Sequence, residues 1–132
     1  MSDSIFIRPD IVTGKISSYP SKSHIQRSLI LGLLNKNGVE IENYGTSEDS
    51  EAVLQAVKFL GAEVESVSNR VYVKGPDEFT NSEISCNESG LCLRLFAPVL
   101  ALSEKEFTIK GTESLLKRGN DHINDILGKF GV

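Results

Sequence analysis

The polar and apolar positions along the chain fall into short β-like runs and helical ones, and the first run, Thr13–Tyr19, predicts a strand. The period then changes to a helical one. Ile25, Leu29, Ile30, Leu33 and Leu34 recur at helical spacing, with Ser21 or Ser23 placed to cap the start and Gly38 to mark the stop. Val39–Asn43 predicts a second strand. Ser47 opens a second helix with Glu48, Asp49 and Glu51 in its first turn, a stripe of Val53, Val57 and Leu60, and Gly61 as its stop. Ala62–Ser66 and Arg70–Lys74 alternate around Ser68-Asn69, which predicts a hairpin.

The order β-α-β-α-β-β then begins a second time. A short strand at Glu83–Cys86, a helix from Ser89 to Leu102, a strand at Glu106–Gly111 and a helix from Asn120 to Phe130 follow one another. Ser23–Arg27 aligns with Gly90–Arg94, Val39-Glu40-Ile41 with Phe107-Thr108-Ile109, and Phe59-Leu60-Gly61-Ala62 with Lys129-Phe130-Gly131-Val132. The fold class is therefore α+β, with an α/β-like alternation, built of repeated units. The expected division is an N-terminal strand at 1–12 and a partial globular domain at 13–132, with a first repeat at 13–75 and a second at 82–132. The second copy stops where its closing hairpin should begin. An unpaired sheet edge is a liability, so the expectation is a truncated unit prone to self-association through that edge.

Composition narrows the class. The chain has 132 residues, 39% apolar and 24% charged, as in an ordinary globular domain. Its net charge of −4 argues against a nucleic-acid surface. The longest apolar run, Leu95–Leu102, is too short to span a bilayer and the N-terminus lacks a basic-then-apolar leader, so a cytoplasmic protein without membrane contact is expected. Cys86 and Cys92 have no neighbouring set of ligands, which predicts free buried thiols and no metal site.

Three cationic segments carry the candidate chemistry. In Ser21-Lys22-Ser23-His24-Ile25-Gln26-Arg27, a helix start offers free N–H groups, an ammonium and a hydroxyl, and Arg27 lies one turn on from Ser23; the set suits an oxyanion. The competing reading is a capping box of Ser23 and Gln26 beside two solvated cations. In Glu88-Ser89-Gly90-Leu91-Cys92-Leu93-Arg94, Gly90 leaves the backbone open, and Arg94 lies in a helix that is apolar nearly all round. A buried, paired Arg94 is expected, its partner being either a ligand or a neighbouring loop. Lys117-Arg118 sits in a connection where a cation either meets a ligand or is merely solvated. His24 and His122 read as surface residues, and Glu48 and Asp49 as stabilisers of a helix start.

Taken together these segments resemble the EPSP synthases, the 3-phosphoshikimate 1-carboxyvinyltransferases, from about Gly14 to the end. Ser21-Lys22-Ser23-His24-Ile25-Gln26-Arg27 matches the S-K-S-x-x-x-R part of the family's opening motif. Ser47-Glu48-Asp49 and Leu60-Gly61-Ala62 match its S-x-D and L-G-A, Glu88–Arg94 its N-S-G-T-x-x-R, and Arg118 the Arg of its R-P pair. Four positions depart from the usual pattern: Tyr19-Pro20 replaces Pro-Gly, Glu88 replaces Asn, Leu91 replaces Thr and Gly119 replaces Pro. Leu91 carries no hydroxyl for a ligand contact.

The resemblance implies a two-domain enzyme, with ligands in the cleft between domains, that moves the enolpyruvyl group of phosphoenolpyruvate to the 5-hydroxyl of shikimate 3-phosphate and releases phosphate without metal or organic cofactor. It implies that Lys22, Ser23 and Arg27 hold shikimate 3-phosphate, Lys22 also reaching phosphoenolpyruvate as the catalytic residue of this half. Gly90 and Arg118 hold phosphoenolpyruvate, while Arg94 and Asp49 line or support the cleft. The family's acid–base carboxylate and lysine belong to the other, C-terminal domain, so the 132 residues alone are expected to bind at best. The alternatives are a stand-alone module for a phosphorylated metabolite and an RNA-related protein, the latter disfavoured by acidity and the lack of an aromatic stacking set.

Overall fold

The computed structural model describes residues 4–132. Helix α1 (Lys22–Leu34) follows the N-cap Ser21 and leads into β1 (Val39–Ile41). Helix α2 (Glu48–Phe59) packs beside α1, and the hairpin of β2 (Glu63–Val67) and β3 (Arg70–Lys74) closes the first unit. The strands form an antiparallel sheet in the order β1-β3-β2, with Val39 opposite Val73 and Val64 opposite the same residue on the other side. Val71 and Val73 face inward, and Gly32 lets α1 approach the sheet: a Cβ there would come within 2.7 Å of the Val73 Cβ.

The second unit begins with β4 (Glu83–Ser85), passes through α3 (Gly90–Leu100), and returns to β5 (Thr108–Lys110), parallel to β4 with Ile84 opposite Ile109. Helices α4 (Glu113–Lys117) and α5 (Asp121–Gly128) follow. One core joins both units, with Leu29, Leu33, Val53, Val57 and Leu60 meeting Ile84, Cys86, Cys92, Phe96 and Leu115. The same backbone device ends α2 and α5. Gly61 and Gly131 both take positive φ, and the next amide reaches back to the helix, Ala62 to the Val57 carbonyl and Val132 to that of Leu127.

Several elements differ from the sequence expectations for local reasons. Thr13–Tyr19 forms no strand; no strand among the described residues pairs with it to satisfy its backbone, and Ile16 is 96% exposed. Of the expected N-terminal strand at 1–12, residues 1–3 lie outside the described residues and 4–12 carry no strand. β1 stops at Ile41 because Asn43 turns with φ 53°. The connection carrying Lys117 is helical, because Thr112 caps the Leu115 N–H and starts α4. No helix among the described residues is long and apolar enough to cross a membrane. Cys86 and Cys92 are free and buried; hydrogen bonding with Cys86, followed by burial, pushes the Cys92 thiol far up and keeps it protonated.

Candidate functional site

Helix starts differ in what they offer. The first turn of α2 carries Glu48, Asp49 and Glu51, whereas those of α1 and α3 carry no acid. Acidic side chains at a helix start answer the positive end of its dipole, so α1 and α3 leave that end for an outside anion. Ser21 caps α1 by accepting the His24 N–H, and Ser89 caps α3 by accepting the Cys92 N–H. The N–H groups of Lys22, Ser23, Gly90 and Leu91 then have no protein acceptor among the described residues.

Around α1, the Lys22 ammonium lies 2.8 Å from the Asp49 carboxylate, which ties the first turns of α1 and α2 together. Both side chains keep solvent contact, so the pair contributes at most about 1 kcal/mol and yields readily to a stronger anion. Arg27 is exposed and donates from Nη1 to the Ser23 carbonyl at 3.0 Å, one turn back along its own helix. Lys22 and Arg27 therefore do not converge here, each being held by a weak local partner. The expected capping box of Ser23 and Gln26 does not form: Ser21 is the cap, and Gln26 turns inward.

Around α3, Arg118 at the end of α4 donates to the Glu88 carbonyl at 3.4 Å, which brings its guanidinium to the turn that starts α3. The Glu88 carboxylate accepts from the Thr112 hydroxyl at 3.1 Å. Arg94 departs from expectation. It is exposed, with no hydrogen-bond or ionic partner among the described residues, because its place on α3 turns away from the stripe of Cys92, Phe96 and Val99 that enters the core. Its guanidinium folds back over the first turn, 4.0 Å from where a Cβ on Gly90 would sit. Since no buried pair is lost, Arg94→Leu is expected to change folding stability by no more than about 0.5 kcal/mol in a denaturant titration.

The two starts are joined by a bond that the motifs did not announce. Gln26, wholly buried, donates from Nε2 to Ser89 Oγ at 3.2 Å. Its signal in the sequence was the repeat alignment, where Gln26 falls on Leu93, an amide against an apolar residue. A cleft of about 590 Å³ lies beside this cluster but takes only Asp49 from the predicted set. Glu48, Glu51, Glu83 and Glu88 line it as well, a concentration of carboxylates that repels a phosphate. The helix starts, and not this cleft, suit an anion.

A family model described as EPSP synthase (3-phosphoshikimate 1-carboxyvinyltransferase) matches residues 8–132. The chain belongs to the EPSP synthase family. The 3-phosphoshikimate 1-carboxyvinyltransferase of Clostridium novyi is 34% identical over 98% of this chain and 32% of its own length. That of Nitrosopumilus maritimus is 33% identical over 92% of this chain and 29% of its own. The solved EPSP synthase from Acinetobacter baumannii superposes with a TM-score of 0.81 at 25% identity, over 90% of this chain and 28% of that one. The chain thus spans about a third of the length of the curated EPSP synthase relatives it matches, 32% and 29% for the two named.

Proposed function

We propose that these residues form the half of an EPSP synthase cleft that binds anions, the whole enzyme transferring the enolpyruvyl group of phosphoenolpyruvate to the 5-hydroxyl of shikimate 3-phosphate and releasing phosphate. The observation that carries this reading is the pair of helix starts without acids, α1 and α3, each with free N–H groups and a guanidinium one turn on. Lys22, Ser23 and Arg27 hold shikimate 3-phosphate. Asp49 holds Lys22 until the ligand arrives, after which the ammonium also reaches phosphoenolpyruvate. Gly90 and Arg118 hold phosphoenolpyruvate, and Arg94 borders it. In this reading 13–75 and 82–132 act as one anion-binding lobe, and the second domain of the same protein supplies the proton-transfer groups.

Gly90 gives a test of one contact. A Cβ there meets nothing nearer than the Leu115 Cδ1 at 3.9 Å, so Gly90→Ala leaves the fold intact. It places a methyl where the backbone should meet the ligand. The expected result is an unchanged melting temperature and a KM for phosphoenolpyruvate raised roughly tenfold or more, on the scale of one lost charge-assisted hydrogen bond. An unchanged KM removes Gly90 from the site.

The reading as a whole is tested on the complete natural gene product that carries these residues. Phosphate release is measured with both substrates and with each one omitted. Release that requires both supports the transferase. Tight binding of shikimate 3-phosphate without release from the complete product supports a binding module instead.

A further inference from the structure

Gln26, Ser50 and Ser89 are the buried polar side chains among the described residues. Gln26 bridges 63 positions of sequence to reach Ser89, while its own Oε1 has no partner. The Ser89 oxygen it meets is the one that accepts the Cys92 N–H and begins α3. Packing does not call for an amide at this place. In the second copy the aligned residue is Leu93, and that helix forms with the apolar side chain. Leucine at 26 would also remove a buried acceptor whose hydrogen bonding is unmet, so the amide is retained against the preference of a core.

Position supplies the reason. Gln26 lies one turn along α1 from Lys22 and Ser23, on the opposite side of the helix from solvent, and its bond ends on the cap that precedes Gly90. Building on the two-anion reading above, we infer that Gln26 is a positioning residue that fixes the spacing between the α1 and α3 anion sites. It touches neither ligand. It sets how far the acceptor hydroxyl of one substrate stands from the reacting carbon of the other, a distance on which rate depends steeply.

The experiment uses the complete natural gene product with Gln26→Met, close in length, and Gln26→Leu beside it. Both variants should melt no lower than the parent and keep a dissociation constant for shikimate 3-phosphate alone within about threefold, while kcat/KM for phosphoenolpyruvate falls at least tenfold. In a Ser89→Ala background, which removes the α3 cap as well as the acceptor for Gln26, the same substitution should cost little more, because the Gln26–Ser89 bond is already gone. Melting lowered in both variants with equal losses for both ligands would show a structural role and overturn the inference, as would independent, multiplying losses in the double variant. Arg27→Ala measured alongside separates the claims. Impaired Arg27→Ala with unimpaired Gln26 variants overturns the positioning role alone, whereas no effect of either overturns the two-anion reading beneath it.

Discussion

Replacing Arg27 with alanine in the complete gene product is expected to raise the dissociation constant for shikimate 3-phosphate by roughly 10- to 150-fold, the 1.5–3 kcal/mol of a hydrogen bond to a charged group. The free protein gives the contrast that makes this readable. Arg27 is exposed, and among the described residues it hydrogen-bonds the carbonyl of Ser23 on its own helix. Removing it leaves no buried group unpaired, so melting should shift little while affinity falls. Lys22→Ala should behave likewise toward the ligand, with the released Asp49 adding a repulsion that Arg27→Ala lacks. Calorimetric titration of both variants settles the assignment, and an unchanged dissociation constant for Arg27→Ala would sink it.

The second large effect is a complete loss: the isolated 132-residue polypeptide should release no phosphate above background from phosphoenolpyruvate and shikimate 3-phosphate. Anion sites order substrates, yet the addition step also needs a proton delivered to the methylene carbon and one taken from the hydroxyl. No acid lies in the first turn of either helix, and in this reading the groups that transfer those protons belong to the second domain of the same protein. Water also reaches both helix starts, where Arg27, Arg94 and Arg118 are exposed. Leu116, Ile126, Phe130 and Val132 present apolar surface around the second unit, and Ile5, Phe6, Ile7 and Ile16 do so along the N-terminal segment. Concentration-dependent self-association in sedimentation should therefore accompany the inactivity. Steady phosphate release from the isolated polypeptide, abolished by Lys22→Ala, would place the chemistry within these residues after all.

The elements that could be read in advance were those whose signals are local. Ser47 with an acidic first turn, the Ser68-Asn69 turn and Gly61 each act through neighbours in sequence, and α2, the hairpin and the helix stop lie where those residues put them. Thr13–Tyr19 failed for the opposite reason. A β-like run can extend, but a strand needs a partner, and no described segment pairs with it. Arg94 is exposed and not buried because a helix apolar nearly all round still keeps one face to solvent, here the face of Arg94 and Pro98. Helix α4 is five residues long, too short to show a period, and only its Thr112 cap announces it. Of the site, the cationic segments were legible from residue types, whereas the Lys22–Asp49 pair depends on how α1 packs beside α2 and the Gln26–Ser89 bond on how the two units pack.

The central claim is that the starts of α1 and α3 hold two anions side by side, and a crystal structure of the complete gene product with shikimate 3-phosphate tests it most directly. The account predicts the 3-phosphate within hydrogen-bonding distance of Lys22, Ser23 and Arg27, with Lys22 and Arg27 turned from Asp49 and the Ser23 carbonyl toward the ligand, and the first turn of α3 open beside it. A ligand bound elsewhere, with Lys22 still on Asp49 and Arg27 still on its own helix, would contradict it.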